Sequence, residues 1–589
     1  MDLESLNWKI SAKAGEGVMS SAKLFAKACK RQGLSVFNYY EYPSLIKGGL
    51  QSGQVSASLS GSTCQRRHLD LLIIFHEKFI QDHLPEIDEK TLVIFNGNAF
   101  DPTKYPELKS KVVAINLTKI ARDQGANPLA SNIAALGVSA CLFGMDLTIL
   151  GRIVVEEFAK NKETAIKNLQ VLQAAFVVAT DLIKQNVFQP FGKLISSGVD
   201  EQILLTGNEA IGLGALAAGL QFYSAYPMTP ATGVLHFLAA AQNDYPIVVK
   251  HAEDEIAAIN HAIGASFAGV RAMTGSSGGG FALMVEALSF AGVSEIPLVV
   301  FEAMRQGPAT GLPTWTSQGD LNFVLGAGHG EFLRVVLTPG DVQEHFQLAK
   351  LAVELAEKYQ LPVLIVSDKY ILESNQTMPK MQLVSQNQRA SMLNNGQLGD
   401  TGLAEGEYLR YKASENGIST RSIPGQTNAL QLSNSYEHDE YGFATEDAAV
   451  TKKAVDKRAA KIEALKLDLP KPLYLGSKNP EKILISFGST INVLRDVLLD
   501  EAASQIAVIH LPCVYPFPNL ELEKLLEGKT AETFVLEGNS TGQLNALIKR
   551  ETNLPNLRSL LRYDGRPFYS EDLLEFIKTE KISEQYKLI

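Results

Sequence analysis

Short apolar runs bounded by turn residues alternate along this chain with amphipathic stretches of helical period. Near the N-terminus Trp8-Lys9-Ile10-Ser11 meets a glycine turn, Gly15-Glu16-Gly17, followed by VMSSAKLFAKACKRQG. That stretch predicts an amphipathic helix ending at Gly33, a residue that takes the left-handed cap conformation without strain. LSVFNYY begins a second strand. LDLLIIF and TLVIFN are apolar throughout, the pattern of interior parallel strands with helices over both faces. The order β–turn–α–β predicts a doubly wound α/β unit over 1–192.

A second α/β unit is predicted over 198–372, with LQFYSAY, PIVVKHA, RAMTGSS, PLVVFEA, FLRVVLTP and PVLIVSD as strands. The small residues of AAINHAIGASFAG suit a helix packed tightly in a core or against another backbone. From 373 to 475 the texture turns polar (SNQTMPKMQLVSQNQ, NNGQLGDTG) and ends in a charged helical stretch, DAAVTKKAVDKRAAKIEALK. So long a connection in a compact protein is a functional segment or an interface arm. A third α/β unit, over 476–589, carries EKILISFGS, QIAVIHLP and AETFVLEGN as strands. The fold class read from this order is α/β with several doubly wound domains.

Composition narrows what such a chain does. At 589 residues it holds about three to five domains, enough to bury several cores without staples. Apolar residues make up 46% and charged residues 20%, which excludes a disordered, collagen-like or coiled-coil chain. The net charge of −10 argues against nucleic acid as a partner. Cys29, Cys64, Cys141 and Cys513 lie far apart with no CxxC pair, so no metal site or disulfide framework is expected, and a reducing cytoplasm is the simplest compartment. MDLESLNWKI lacks a signal-peptide pattern, and no uninterrupted apolar run approaches 18 residues, so a soluble protein without a membrane partner is expected.

Five places offer chemistry. Gly15-Glu16-Gly17 resembles a shortened dinucleotide turn, with Glu41 at a distance suited to a ribose hydroxyl, although a plain tight turn is the simpler reading. Thr274–Gly280 follows a strand and leads into FALMVEALSFAG, but lacks the lysine and hydroxyl ending of a phosphate loop. Its glycines let a ligand or a neighbouring chain approach the backbone. In Tyr226-Pro227-Met228-Thr229-Pro230 two prolines fix the backbone around a threonine hydroxyl. His251-Ala252-Glu253-Asp254-Glu255 places three acids at a helix start, where capping accounts for some of them. Glu255 runs into apolar sequence, and burial there would raise its proton affinity. Arg305, before a Gly/Pro loop, suits bidentate carboxylate recognition, with a surface ion pair as the plainer reading. The last three all fall at carboxyl ends of predicted strands, where open α/β sheets bind ligands.

Together these segments resemble the α subunit of 2-oxoacid:ferredoxin oxidoreductases with the γ domain fused at its N-terminus. YPMTP, EDEIAAINHAIGASFAG and RQGPATGLPTWTSQGDL are similar to that family's YPITP motif, the helix after it and its RGGPSTGxPT stretch. So are GHGE, TPGD, SDKYILES, RSIPG, EHDEYGFATED, EGNSTGQL and YDGRPF further on, and GEGV, YPSLIKGG and SGQV in the γ-like part. Met228 and Gly279 depart from the usual residues, and the γ glycine loop is reduced to Gly15-Glu16-Gly17.

The resemblance implies a pyrimidine-binding domain for thiamine diphosphate in the second unit and a transketolase C-terminal-like domain in the third. Glu255 would share a proton with the aminopyrimidine nitrogen, favouring the tautomer whose exocyclic nitrogen removes the C2 proton. Tyr226, Pro227 and Thr229 would line the cofactor site, and Thr229 and Arg305 would hold the substrate carboxylate. Neither a magnesium–diphosphate motif nor cluster cysteines occur here. Mg²⁺ and a [4Fe–4S] cluster are therefore implied in a β subunit, in an αβ or (αβ)₂ assembly that uses coenzyme A and ferredoxin. The expected reaction is oxidative decarboxylation of a 2-oxoacid, 2-oxoglutarate favoured, with pyruvate or a broad range as alternatives. Two other classes remain open: an NAD-dependent dehydrogenase on the N-terminal fold, marked by thiamine-independent nicotinamide absorbance, and a non-catalytic structural subunit.

Overall fold

The computed structural model describes residues 2–44, 49–195, 201–381, 406–554 and 556–589. Part of YPSLIKGG and the polar stretch that includes NNGQLGDTG lie outside the described residues. Three large sheets and one short strand pair, Asp2–Leu3 with Lys193–Leu194, organise the described residues.

The first sheet has eight strands, in the order Lys111–Ile115, Leu92–Asn96, Leu71–Ile74, Ser5–Lys13, Leu50–Ser58, Ser35–Glu41, Asn375–Pro379, Gln202–Thr206. Leu71–Ile74 and Leu92–Asn96 are interior parallel strands, as their unbroken apolarity predicts. The other half is antiparallel. Leu50–Ser58 escapes prediction because its side chains are small or amide-bearing; Gln51, Ser52, Gln54, Ser56 and Ser58 are all buried there. The last two strands come from beyond the first unit, and Asn375–Pro379 falls within the segment read as a connection.

The amphipathic helix Val18–Arg31 begins at Gly17 (φ 80°) and is followed by Gly33 (φ 84°), the left-handed positions at which glycine carries no strain. It buries Phe25 against Trp8. Helix Lys162–Lys184 is long and apolar enough to cross a membrane, though no single apolar run in the sequence shows it. One face of it packs on Ser131–Leu142, where Gly137 permits close approach to the Leu172 carbonyl.

The second sheet has the order Val248–His251, Phe222–Ala225, Ala272–Ser277, Leu298–Met304, Pro362–Asp368, Val335–Leu337, Cys513–Tyr515. All its pairs are parallel except the last, which the C-terminal unit supplies. The third sheet, of six strands, is parallel at its centre (Ile506–Leu511, Lys482–Phe487, Glu532–Glu537, Leu557–Arg562) with an antiparallel strand at each edge. One apolar core joins the face of the second sheet that carries Val300 and Met304 to the third sheet's Ile485, Ile509 and Val535.

The charged helix Ala448–Asp468 fastens the connecting segment to the second unit. Its Lys457 and Lys461 are buried and meet the Glu295 carboxylate at 2.5 and 2.6 Å. Glu295 itself holds a left-handed backbone (φ 50°). Burial alone would raise its proton affinity, but the two ammonium groups and Arg410 hold its carboxyl well below the ordinary range.

Candidate active site

Three strand ends of the second sheet converge. Tyr226 follows Phe222–Ala225, Glu255 lies shortly after Val248–His251, and Arg305 directly follows Leu298–Met304. Ala272–Ser277 lies between the first and last of these strands and leads into the glycine turn Gly278–Gly280.

Asp254, not Glu255, caps the helix Glu255–Phe267, accepting from the Ala257 amide at 2.7 Å. Capping therefore uses one acid and leaves the next free to turn inward. Glu255 is 5% exposed, and no hydrogen bond reaches its carboxyl from the described residues. A methyl group placed at Gly280 would strike both Glu255 Oε1 and Ser276 Oγ. At Gly278 it would come within 2.5 Å of Asp320 Oδ2, whereas at Gly279 it would find only the Met228 methyl, at 3.9 Å. Side chains crowd the backbone at Gly278 and Gly280, and none of the three glycines has a left-handed φ.

Arg305 Nη1 donates to the main-chain carbonyl of Thr229 at 2.8 Å. This bond joins the Tyr226–Pro230 turn to the loop that follows Leu298–Met304. Burial lowers the proton affinity of the guanidinium and the Asp320 charge raises it; burial likewise pushes the Asp320 carboxyl up while Arg305 draws it down. Thr229 and Pro227 are half-buried, and Tyr226 is exposed at 41% with its ring 6.3 Å from that of His251.

Asp320, Ser276 and Gln318 lie in segments named from the sequence but received no role there, and they extend the site. Gln318 bolts the loop after Arg305 to the third sheet. Its amide donates to the Phe487 carbonyl at 3.1 Å, its side-chain oxygen accepts from Gly538 N at 2.9 Å, and its own backbone N–H donates to Gly538 O at 2.7 Å.

The N-terminal glycine turn is otherwise employed. The Gly17 carbonyl accepts from Asn132 and from Ser21 Oγ, and the Asn132 amide occupies the space where a side chain at 17 would go. The Glu16 carboxylate pairs with His76 at 2.7 Å. Glu41, the acid of the dinucleotide alternative, meets buried Lys9 at 3.4 Å and Ser52 Oγ at 3.2 Å. The tight-turn reading holds there. Glu41 also borders a cavity of about 600 Å³ shared with Arg67, Arg562, Arg566 and Trp315, between the first unit, the Arg305 loop and the C-terminal unit.

A buried carboxyl lacking a protein partner, a glycine turn beside it and an arginine at the next strand end suit a heteroaromatic cofactor that offers a hydrogen bond, and a carboxylate substrate. That is the class of site thiamine-dependent oxidoreductases use. Residues 213–457 match the family described as "Pyruvate flavodoxin/ferredoxin oxidoreductase, thiamine diP-bdg", and residues 7–178 match "Pyruvate ferredoxin/flavodoxin oxidoreductase". The α subunit of a 2-oxoacid:ferredoxin oxidoreductase from Sulfolobus is 32% identical, covering 98% of both chains. A 2-oxoglutarate synthase subunit KorA from Archaeoglobus fulgidus is 30% identical over 59% of this chain and 91% of its own. Among solved structures, 2-oxoglutarate:ferredoxin oxidoreductase from Magnetococcus marinus, described with 2-oxoglutarate, coenzyme A and succinyl-CoA bound, superposes with a TM-score of 0.89. It is 30% identical and covers 98% of this chain and 100% of its own. The chain belongs to the family of 2-oxoacid:ferredoxin oxidoreductase α subunits.

Proposed function

We propose that this chain is the pyrimidine-binding half of a thiamine-diphosphate-dependent enzyme that decarboxylates a 2-oxoacid oxidatively, 2-oxoglutarate first among the candidates. The products are an acyl-CoA and CO₂, with the electrons passing to ferredoxin. The observation that carries this reading is the Glu255 carboxyl, buried against Gly280 without a protein partner.

Thiamine diphosphate, when bound, supplies a carbon nucleophile and an electron sink. The chain's own residues orient it and hold protons. Glu255 would exchange a proton with the ring nitrogen of the pyrimidine, and the glycine turn would let that ring lie against backbone. Tyr226, Pro227 and Thr229 would form the adjoining wall. Arg305, steadied by the Thr229 carbonyl, would turn its remaining N–H groups to the substrate carboxylate.

A β subunit completes the site in this reading, bringing Mg²⁺, the diphosphate contacts and a [4Fe–4S] cluster. Among the described residues no group of three His, Cys, Asp or Glu side chains is placed to hold a metal ion. The exposed apolar residues Tyr226, Ile256 and Leu283 flank the strand ends and the glycine turn, a surface suited to the partner. The cytoplasm is the matching compartment.

The test is co-expression with a β-type partner, followed by a 2-oxoacid panel with coenzyme A and a redox dye. CoA-dependent dye reduction, lost on Glu255→Gln, is expected. Undiminished oxidation by that variant would remove Glu255 from the assignment, and a preference for pyruvate would replace the substrate.

A further inference from the structure

The helix Lys162–Lys184 buries one face only. Leu172 and Ala175 lie against Gly137, and Ala165, Asn168, Val171 and Ala179 are buried on the same side. On the opposite side Ile166 (58% exposed) and Val177 (57%) stand in solvent, with exposed Gln170 and Gln173 between them. Spacings of i, i+4, i+7 and i+11 put these four on one line along the helix. Exposed Lys162 and Asp181 extend the line by one turn at each end. All six fall within roughly 100° of the helix circumference. Beside the line runs a groove of about 430 Å³ toward the helix Leu147–Glu157, walled by Gly151, Val155, Leu169 and Gln173.

This face is complementary to itself. In a two-fold contact residue i meets j and j meets i, so the surface must match its own rotated copy. With two antiparallel copies of the helix, and the axis level with the Val171–Leu172 bond, Ile166 lies as far from the axis as Val177. Gln170 is likewise matched to Gln173, and Lys162 to Asp181. Each apolar side chain then meets an apolar one, and each amide meets an amide that both donates and accepts. Each cation meets a carboxylate, and every pair occurs twice. Leu169 of the groove wall comes opposite Ala174, a side chain small enough to leave the groove free.

The end charges are available for such pairing. Asp181 meets Lys184 at 3.0 Å and Glu163 meets Lys167 at 2.7 Å within the helix, while Lys162 has no ion pair among the described residues. Exposed pairs of this kind hold a side chain weakly, so Asp181 is free to turn to an incoming lysine.

Lipid fits this face less well. The helix is long and apolar enough to cross a membrane, but its inner face is committed to the core of the N-terminal unit and buries Asn168 there. A helix that lies on an anionic bilayer carries an excess of lysine and arginine on its polar side. Here the lysines alternate with Glu163 and Asp181, and two glutamines hold the middle of the line.

We propose that the outward face of Lys162–Lys184 is a two-fold interface. A second copy of this chain seats the same helix on it antiparallel, with Ile166 against Val177 and Lys162 against Asp181. The surface belongs to the N-terminal unit and not to the sheet whose strand ends carry Glu255 and Arg305, so it is independent of the reaction proposed above.

The experiment is sedimentation velocity of the full chain from low micromolar concentration upward, where a monomer–dimer equilibrium is expected. Val177→Glu buries two unpaired carboxylates in the contact and should raise the dissociation constant about a hundredfold. Lys162→Asp and Asp181→Lys each set like charges face to face at both ends and should raise it about tenfold. An equimolar mixture of those two variants restores opposite charges at both ends and should dimerise as the unsubstituted chain does. The thermal midpoints of all three should match that of the unsubstituted chain, since the positions are exposed. A chain that stays monomeric, a dimer that survives Val177→Glu, or charge variants that their mixture fails to rescue would overturn the interface. So would a monomer that sediments with phosphatidylserine vesicles, or a Val177→Glu chain that loses the β partner instead, since the face would then belong to lipid or to that partner.

Discussion

Arg305 donates through Nη1 to the Thr229 carbonyl at 2.8 Å, so a side chain from one strand end holds the main chain of another. Arg305→Ala removes both this brace and the cation. The expected result is a 10–100-fold rise in KM for the 2-oxoacid, matching the roughly 1.5–3 kcal/mol of a charge-assisted hydrogen bond, with a smaller change in kcat. Arg305→Lys keeps the charge but lacks the planar fork, and should recover only part of the loss. Steady-state kinetics of the reconstituted complex check both.

Gly280→Ala should abolish thiamine-dependent turnover while leaving the chain folded. The added methyl meets Ser276 Oγ and Glu255 Oε1, and overpacking of this kind costs about 1–3 kcal/mol. Gly279→Ala, with only the Met228 methyl at 3.9 Å, is the internal control and should keep the fold at near-native stability. Thermal denaturation together with activity distinguishes them.

The fastening of the connecting segment predicts a pH signature. Glu295, with its carboxyl lowered by Lys461, Lys457 and Arg410 against the cost of burial, contributes stability that is fully present above the ordinary 4.5. It is lost as pH falls from there through the folded-state value. Glu295→Gln should lower the thermal midpoint at pH 7, since breaking a buried ion pair costs about 3–5 kcal/mol. The gap from the unsubstituted protein should narrow below pH 4.5.

Gln318→Leu removes the two side-chain bonds between the Arg305 loop and the third sheet, leaving Gly538 N and Phe487 O without the side-chain partners recorded above while the backbone bond to Gly538 O remains. Each orphaned buried group costs about 1–3 kcal/mol. Limited proteolysis around residues 306–320 should quicken, and KM should rise in parallel.

Much of this is legible in the sequence. Strand ends and the glycine turn could be placed because apolar runs stop abruptly at them, and Glu255 stood out because capping needed fewer acids than were present. Asp320 and Gln318 act across sequence separations that periodicity does not span. The pairing of Glu41 with Lys9 is invisible for the same reason, Lys9 being buried on another strand of the sheet. Leu50–Ser58 hid because its burial is lined with serine and glutamine.

The strands that pass between units carry a consequence for how this protein tolerates change. Asn375–Pro379 and Gln202–Thr206 extend the N-terminal sheet, and Cys513–Tyr515 extends the second sheet. These joins are made by peptide groups, which every residue but proline supplies in full, so side-chain drift erodes them slowly. Severing the chain in the stretch between Leu194 and Gln202 would therefore yield not two independent bodies but a nicked protein. Its halves would stay laced by ladder hydrogen bonds, and each half made alone would expose a bare strand edge prone to self-association.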